Sequence, residues 1–175
     1  HNKADLFKRT QDYLIFKKIV GRYKTKFAFH LFHYCLMPNH IHLLLKTQHC
    51  KEFPRILQGI TQSYSFYYRE VYNHVGYVYQ GRYKSFLIKN DSYLLECGRY
   101  IERNPLRAGL IDDLSQYRWS SYNFYAHGQF DGLVTMDPLY ESIEINEQKR
   151  MLKYRQYILE ERPYEKALDD VMVGG

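Results

Sequence analysis

The sequence contains no apolar stretch long enough to cross a membrane, because no run reaches the roughly 18 residues that a transmembrane helix needs. It has only three cysteines, Cys35, Cys50 and Cys97, and their spacing matches no metal-binding motif. A disulfide scaffold is therefore not expected, and the composition fits a reducing cytoplasm. No repeat or Gly/Ser-rich linker divides the 175 residues, which is the length of one ordinary domain. The polar N-terminus, HNKADLFKRTQDY, predicts no signal peptide.

What the sequence has in excess is tyrosine, with 19 residues, and positive charge, with a net of +6. Residues 1–107 contain 18 Lys and Arg against seven Asp and Glu, whereas residues 108–175 contain seven against twelve. A basic, aromatic-rich body is typical of nucleic-acid-binding proteins, and tyrosine rings stack on unpaired bases. A solvated surface around a tyrosine-rich core accounts for the same composition equally well. A membrane-surface protein is disfavoured, since the basic residues are not gathered on one amphipathic helix.

Hydrophobic spacing predicts a mixture of helices and strands without regular βαβ units. The predicted elements are a helix at 5–24, strands at 27–37 and 40–46, a helix from Glu52 to about Asn73, a strand at 82–89, a helix N-capped by Asp91 or Ser92 that runs to about Arg103, and an acidic, partly amphipathic tail at 147–170. Pro38-Asn39 marks a tight turn between the first two strands, and Asn104-Pro105 is expected to stop the third helix. The fold class is therefore α+β, an antiparallel sheet with helices on one face.

His40 and His42 are the sharpest local feature. In a strand, side chains at i and i+2 project to the same face, so the two imidazoles lie side by side while Ile41, Leu43 and Leu45 face the core. Neutral imidazoles bind divalent metals well, so the pair predicts a metal site. The competing explanation, and the commoner one for a bare His-x-His, is a polar strand face that holds two histidines.

The helix predicted after residue 91 places Tyr100 and Asn104 one turn apart on the same face. The Asn104 carboxamide oxygen suits a hard cation such as Mg²⁺ or Mn²⁺ as a third ligand. A tyrosine one turn away can attack an electrophile held there, once its phenol, with an ordinary pKa of about 10, is helped to ionise. Three arginines of this segment can hold phosphates, namely Arg99, Arg103 and Arg107. Tyr100 as a packing residue, and Tyr93 as a rival nucleophile, remain open alternatives.

Residues 80–84 combine basic and aromatic side chains, as a strip that contacts phosphates and bases would. Arg82 and Lys84 are the candidate DNA contacts. An edge strand whose basic side chains are solvated would have the same sequence pattern. Residues 119–122 (WSSY) are interpreted as a packing or loop feature.

Four motifs occur in a fixed order: residues 34–45 (YCLMPNHIHLLL), 80–83 (QGRY), 100–109 (YIERNPLRAG) and 119–122 (WSSY). Together they resemble the single-tyrosine (HUH) transposases, and most closely the branch of REP-associated tyrosine transposases. The resemblance covers roughly residues 5–125, with a looser likeness beyond. Several ordered motifs at matching spacing are far more specific than any one of them alone.

The resemblance implies a ferredoxin-like (RRM-like) sheet with the two histidines on a central strand. It implies that His40, His42 and Asn104 bind Mg²⁺ or Mn²⁺ and that Tyr100 forms a 5′-phosphotyrosine link with single-stranded DNA at hairpin-forming repeats. The implied organisation is a transposase domain at 1–125 and a helical tail at 126–175, in a monomer or homodimer. A first strand ahead of residue 5 is also implied, and the printed sequence does not supply it.

Two other functions fit the same residues. A metal-dependent phosphodiesterase would use water in place of Tyr100, and would form no covalent protein–DNA species. A domesticated, non-catalytic protein would bind structured single-stranded nucleic acid without cleaving it.

Overall fold

The computed structural model describes residues 5–79, 83–90 and 93–163. The first half contains helix α1 (Thr10–Phe27), strands β1 (His30–Met37) and β2 (His40–Lys46), and helix α2 (Glu52–Tyr72). The second half contains α3 (Leu94–Arg107), a 3₁₀ turn (Leu114–Gln116), α4 (Tyr122–His127), α5 (Pro138–Ser142) and α6 (Glu147–Leu159). None of the described helices is both long and apolar enough to span a membrane. The predicted α+β class is confirmed.

Strands β1 and β2 form an antiparallel hairpin whose register runs from Met37 opposite His40 to His30 opposite Lys46. Because side chains alternate along a strand, the hairpin has two distinct faces. One face carries residues such as Tyr34, Leu36, Ile41, Leu43 and Leu45. The opposite face carries Cys35, Met37, His40, His42 and Leu44. This is the alternation that the sequence predicts for β2.

Helices α1 and α2 cover the first of these faces with apolar and aromatic side chains. Phe16 and Val20 of α1 and Ile56, Ile60 and Tyr64 of α2 are buried in this main core. The rings of Phe16 and Tyr64 meet edge to face at 5.3 Å between centroids. Helical spacing of apolar residues in both segments produces this interface, as the sequence predicts.

Helix α3 packs on the opposite face of the hairpin, so the helices lie on both faces and not on one as the sequence predicted. Ile101 of α3 is buried with Cys35, Met37 and Tyr117 in a second, smaller cluster. The larger ferredoxin-like sheet stays an expectation, because the described residues form a sheet of two strands.

The edge of β1 that does not pair with β2 is covered by residues 117–121. The Leu36 N–H donates to the Trp119 carbonyl at 2.9 Å, and the Ser121 N–H donates to the Tyr34 carbonyl at 3.0 Å. Trp119 also stacks on Tyr13 with 4.4 Å between ring centroids. The packing role predicted for this segment is therefore confirmed.

The predicted strand at 82–89 is wrong over its described part, because residues 83–90 adopt no regular secondary structure. A strand needs a hydrogen-bonding neighbour and a face to bury, whereas Phe86 is 51% and Leu87 80% exposed. The residues proposed to cap α3, Asp91 and Ser92, lie outside the described residues.

Helices α4, α5 and α6 form a third cluster, built largely from tyrosines. Its buried members include Tyr125, Tyr140, Tyr154 and Ile158. Residues on both sides of position 125 belong to this cluster, and the domain division predicted there stays a prediction. The helical character of the tail is confirmed in its described part by α6, whose Asn146 side chain accepts the Lys149 N–H at 3.0 Å.

Candidate active site

His40 and His42 lie side by side on the face of the hairpin that α3 covers. Their ring centroids are 4.9 Å apart and the rings are nearly perpendicular, at 89°. Both side chains are half-buried. The i, i+2 spacing in β2 produces this arrangement, because the intervening Ile41 points into the main core.

The His40 ring is oriented by its neighbour in the turn. Its Nδ1 lies 2.6 Å from Asn39 Oδ1. A carboxamide oxygen can only accept, so the neutral ring donates the Nδ1 hydrogen and presents a lone pair at Nε2. A hydrogen bond of this kind is how proteins fix the tautomer and direction of a metal-binding histidine.

Tyr100 reaches the histidine pair from α3. Its ring centroid lies 6.0 Å from that of His42, with the rings at 86°. The side chain is only 1% exposed. The Arg107 guanidinium lies 5.2 Å from the Tyr100 ring centroid, within the range of a cation–π contact. The structure thus brings together Tyr100, the two histidines and one of the predicted arginines.

Asn104 lies inside α3, so the prediction that Asn104-Pro105 stops the helix was wrong. Pro105 has no N–H to donate to the Ile101 carbonyl. The Asn104 Nδ2 donates to the carbonyls of Tyr100, at 2.8 Å, and Ile101, at 3.3 Å, and so replaces the missing donor. With its nitrogen engaged in this way, Oδ1 is the atom with which Asn104 could bind a cation.

The donor atoms suit a hard or borderline divalent cation better than a soft one. Two imidazoles and a carboxamide oxygen are ligands that Mg²⁺ and Mn²⁺ accept alongside water. Within the described ranges, no group of three or more His, Cys, Asp and Glu side chains could hold a metal ion. A metal held by His40, His42 and Asn104 would therefore depend on the amide and on water or substrate oxygens for its remaining ligands.

The predicted phosphate-binding arginines divide into two groups. Arg99 and Arg103 are buried beneath α6, where they donate to the carbonyls of Tyr157, at 3.0 Å, and Ile158, at 2.8 Å. In this position they hold the end of a helix, where backbone carbonyls attract cations, and they do not face solvent. Lys84 is exposed and Arg107 is half-buried, so these two are accessible to solvent. Arg82 lies outside the described residues.

His33, which the sequence analysis did not single out, forms buried ion pairs with two carboxylates on this face. Its Nδ1 donates to Glu102 at 2.9 Å and its Nε2 donates to Asp137 at 3.1 Å, with all three side chains fully buried. Burial by itself lowers the pKa of His33, but the hydrogen bonds and charges of Asp137 and Glu102 outweigh it and raise the pKa to about 9. The only sequence signal was position: His33 shares a strand face with Cys35 and Met37.

Comparison with known proteins bears on residues of this site. The family model of IS200-like transposases matches residues 1–104, which include the histidine pair, Tyr100 and Asn104. A protein of Haemophilus influenzae described as a REP-associated tyrosine transposase is 27% identical over 105 residues. That alignment covers 51% of this chain and 56% of the relative, so the chain spans about half the length of the curated relative it matches. No solved structure matches the chain.

Proposed function

The chain belongs to the family of IS200-like transposases, and on that basis we propose that it cuts and rejoins single-stranded DNA at hairpin-forming repeats with Tyr100 as the nucleophile. The observation that carries the proposal is the approach of Tyr100 to the histidine pair, with 6.0 Å between the ring centroids of Tyr100 and His42. The name of the Haemophilus influenzae relative supports the choice of repeats as substrate.

In the proposed reaction the Tyr100 oxygen attacks the phosphorus of a phosphodiester. A bond forms between the phenolic oxygen and phosphorus, and the bond from phosphorus to the 3′ oxygen breaks. The phenol loses its proton and the departing 3′ oxygen gains one, which leaves a 5′-phosphotyrosine and a free 3′-hydroxyl. One phosphodiester replaces another, so the step is close to neutral in energy and a 3′-hydroxyl can reverse it.

Three side chains would hold the metal ion, namely His40, His42 and Asn104. A bound Mg²⁺ or Mn²⁺ would polarise the scissile phosphate as a Lewis acid. Arg107, whose guanidinium lies 5.2 Å from the Tyr100 ring centroid, supplies positive charge from the chain itself. Since Tyr100 is 1% exposed, the reaction also requires the site to open when DNA binds.

The experiment incubates end-labelled single-stranded hairpins, taken from repeats beside the gene, with Mg²⁺ or Mn²⁺ and resolves them on a denaturing protein gel. We expect a labelled protein–DNA adduct in the unmodified chain. Tyr100→Phe removes one oxygen and should lower the yield of adduct by more than about a thousandfold. His40→Ala should also remove it, because the histidine pair is then incomplete.

Two phenylalanine substitutions serve as matched controls. Tyr64→Phe removes a buried hydroxyl that donates to the Leu6 carbonyl at 2.5 Å, so it should cost about 1 kcal/mol of stability and leave adduct formation intact. Tyr93→Phe tests the rival tyrosine, which is 61% exposed, and should also leave the adduct.

The remaining outcomes would change the proposal. An adduct that persists in Tyr100→Phe would assign the nucleophile elsewhere. Cleavage without any adduct would favour attack by water and a phosphodiesterase activity. Tight hairpin binding without cleavage, in the presence of either metal, would favour a non-catalytic binding protein.

A further inference from the structure

Helix α3 rests on the hairpin in a way that couples two of its side chains. Residues Tyr100, Ile101 and Glu102 are consecutive, and each step along an α-helix turns the side-chain direction by about 100°. Ile101, between them, is buried in one cluster with Cys35 and Met37 of β1. Tyr100 therefore points to one flank and Glu102 to the other, so rotation of α3 about its axis moves both together.

The Glu102 flank is fixed in three directions. Glu102 Oε1 accepts from His33 at 2.9 Å and from Ser121 Oγ at 2.6 Å. Its Oε2 accepts from the Tyr154 hydroxyl at 2.8 Å. The three donors come from β1, from the residue before α4 and from α6, so the carboxylate joins three separate parts of the chain to α3.

His33 is itself held on both sides. Its second nitrogen donates to Asp137 at 3.1 Å, and its ring stacks on Tyr125 with 4.6 Å between centroids. Asp137 is fixed in turn, because its Oδ1 accepts the Leu139 N–H at 2.8 Å. A ring with both nitrogens bonded and one face stacked has no freedom to turn.

The backbone of α3 approaches this ring closely at Gly98, one turn before Glu102. A Cβ placed on Gly98 would lie 2.6 Å from His33 Cε1 and Nε2, well inside van der Waals contact. Only glycine therefore lets the helix come this near to β1 at the place where the His33–Glu102 bond forms.

We propose that His33, bonded between Glu102 and Asp137, is a positioning residue that fixes the rotation of α3 and thereby the placement of Tyr100 beside the His40–His42 pair. This inference rests on the proposed role of Tyr100 as nucleophile. His33 is fully buried, so it acts through the helix.

Gly98→Ala is the direct test, because the added methyl group must push α3 and the His33 ring apart. The measurement is the single-turnover rate constant of adduct formation at saturating hairpin, together with the final amplitude. We expect the rate constant to fall by about tenfold or more, since displacements of the order of 1 Å at a reacting group have effects of this size. A purely structural role would lower the amplitude, as less protein folds, and leave the rate constant unchanged.

Gly59→Ala is the matched control. It also adds a methyl group to a helical glycine against a ring, since a Cβ on Gly59 would lie 2.2 Å from Tyr23 Cε1. That contact joins α2 to α1 on the other face of the hairpin, so it should lower the melting temperature without lowering the rate constant.

A second pair of variants tests whether the ring carries the effect. In a His33→Asn background, which we expect to be slow already, adding Gly98→Ala should change the rate constant little, because the methyl group no longer meets a ring. Glu102→Gln keeps the side-chain volume and should also lower the rate constant. It replaces Gly98→Ala as the test if Gly98→Ala does not fold. A rate constant equal to that of the unmodified chain in folded Glu102→Gln or Gly98→Ala would overturn the inference.

A readout that does not depend on activity separates the two proposals. In protein labelled with 3-fluorotyrosine, the fluorine resonance that disappears in Tyr100→Phe reports the surroundings of Tyr100. Gly98→Ala should shift this resonance and Gly59→Ala should not. A shift without Tyr100-dependent cleavage would contradict the proposed function alone, whereas Tyr100-dependent cleavage with no shift and no change in rate would contradict the positioning role alone.

Discussion

The two faces of the β-hairpin bury different kinds of side chain. The face under α1 and α2 is packed with apolar and aromatic groups, such as Phe16, Ile56 and Ile60. The face under α3 buries charged groups, namely His33, Glu102 and Asp137. Apolar packing tolerates small adjustments of position, whereas a buried ion pair is stable only in one geometry. The first face therefore stabilises the fold, and we expect the second to fix the position of Tyr100, the candidate nucleophile.

A carboxylate on each face makes the contrast specific. Asp12 of α1 accepts hydrogen bonds from the hydroxyls of Tyr67, at 2.8 Å, and Tyr72, at 2.6 Å, and from two backbone N–H groups. Burial alone would raise the pKa of Asp12, but these hydrogen bonds lower it below the ordinary 3.8. Glu102, by contrast, has a fully buried imidazolium as its partner at 2.9 Å, whereas the cation beside Asp12, Arg9, is exposed and lies 3.9 Å away.

The largest expected difference between the faces is in their response to pH. The pKa of His33 is raised from 6.5 to about 9, so its stabilising effect is complete below pH 6.5 and is lost as the pH rises through about 9. The free energy of unfolding should fall by about 3 kcal/mol over this range, measured by urea denaturation. Asp12 acts in the opposite direction: its effect is complete well above pH 3.8 and is lost as the pH falls below that value.

His33→Gln provides the control for this prediction, since the amide does not titrate. The decline toward pH 9 should disappear in this variant, while the loss of stability in acid should remain. An equal decline in His33→Gln and in the unmodified chain would assign the alkaline effect to another group and remove the contrast.

A smaller effect should follow from Asp12→Asn, which breaks the network on the apolar face. The amide group cannot accept all four hydrogen bonds, so we expect about 2 kcal/mol of lost stability. The single-turnover rate constant of adduct formation, measured at a temperature where the variant is folded, should be unchanged. A lower rate constant would show that the two faces are coupled and that the division between them fails.

The smallest expected effect concerns the exposed segment 83–90, which belongs to neither face. Lys84→Ala should weaken the binding of hairpin DNA a few-fold. It should also reduce the slope of log affinity against log salt concentration by about one, because one fewer counterion is released. The rate constant at saturating DNA should stay the same. Lys26→Ala is the control, because Lys26 is also exposed but lies at the end of α1, near the end of the β-hairpin that is remote from His40. Equal weakening by both variants would indicate unspecific attraction to the basic body.

Local patterns were enough to predict the hairpin and the histidine pair. Alternation along β2 placed His40 and His42 on one face and Ile41 on the other, and this depends on neighbouring residues alone. The strand expected at 82–89 failed because a β-prone composition does not specify a partner. The predicted end of α3 was wrong because the Asn104 amide donates the hydrogen bond to Ile101 that Pro105 cannot. The residue types allow this interaction, but the sequence alone does not show that it forms.

The His33 cluster could not be predicted, because its partners are remote in the chain. Glu102 and Asp137 lie 69 and 104 residues beyond His33. A single histidine in an aromatic strand has no periodicity that points to them. Only the packing of α3 onto β1 shows why Gly98 and Glu102 occur one turn apart.

The long sequence separation between His33 and its partners has a consequence for folding during synthesis on the ribosome. His33, Glu102 and Asp137 meet only after the last of them has left the exit tunnel, and Glu102 obtains its third donor later still, from Tyr154. Much of the core under α1 and α2 can pack before that point, because most of its members lie between Leu6 and Tyr79, although Trp119, Leu133 and Val134 join it later. Much of the first core of a growing chain would thus be packed before Tyr100 is positioned, which delays the proposed reaction with DNA until translation of the helical region is nearly complete.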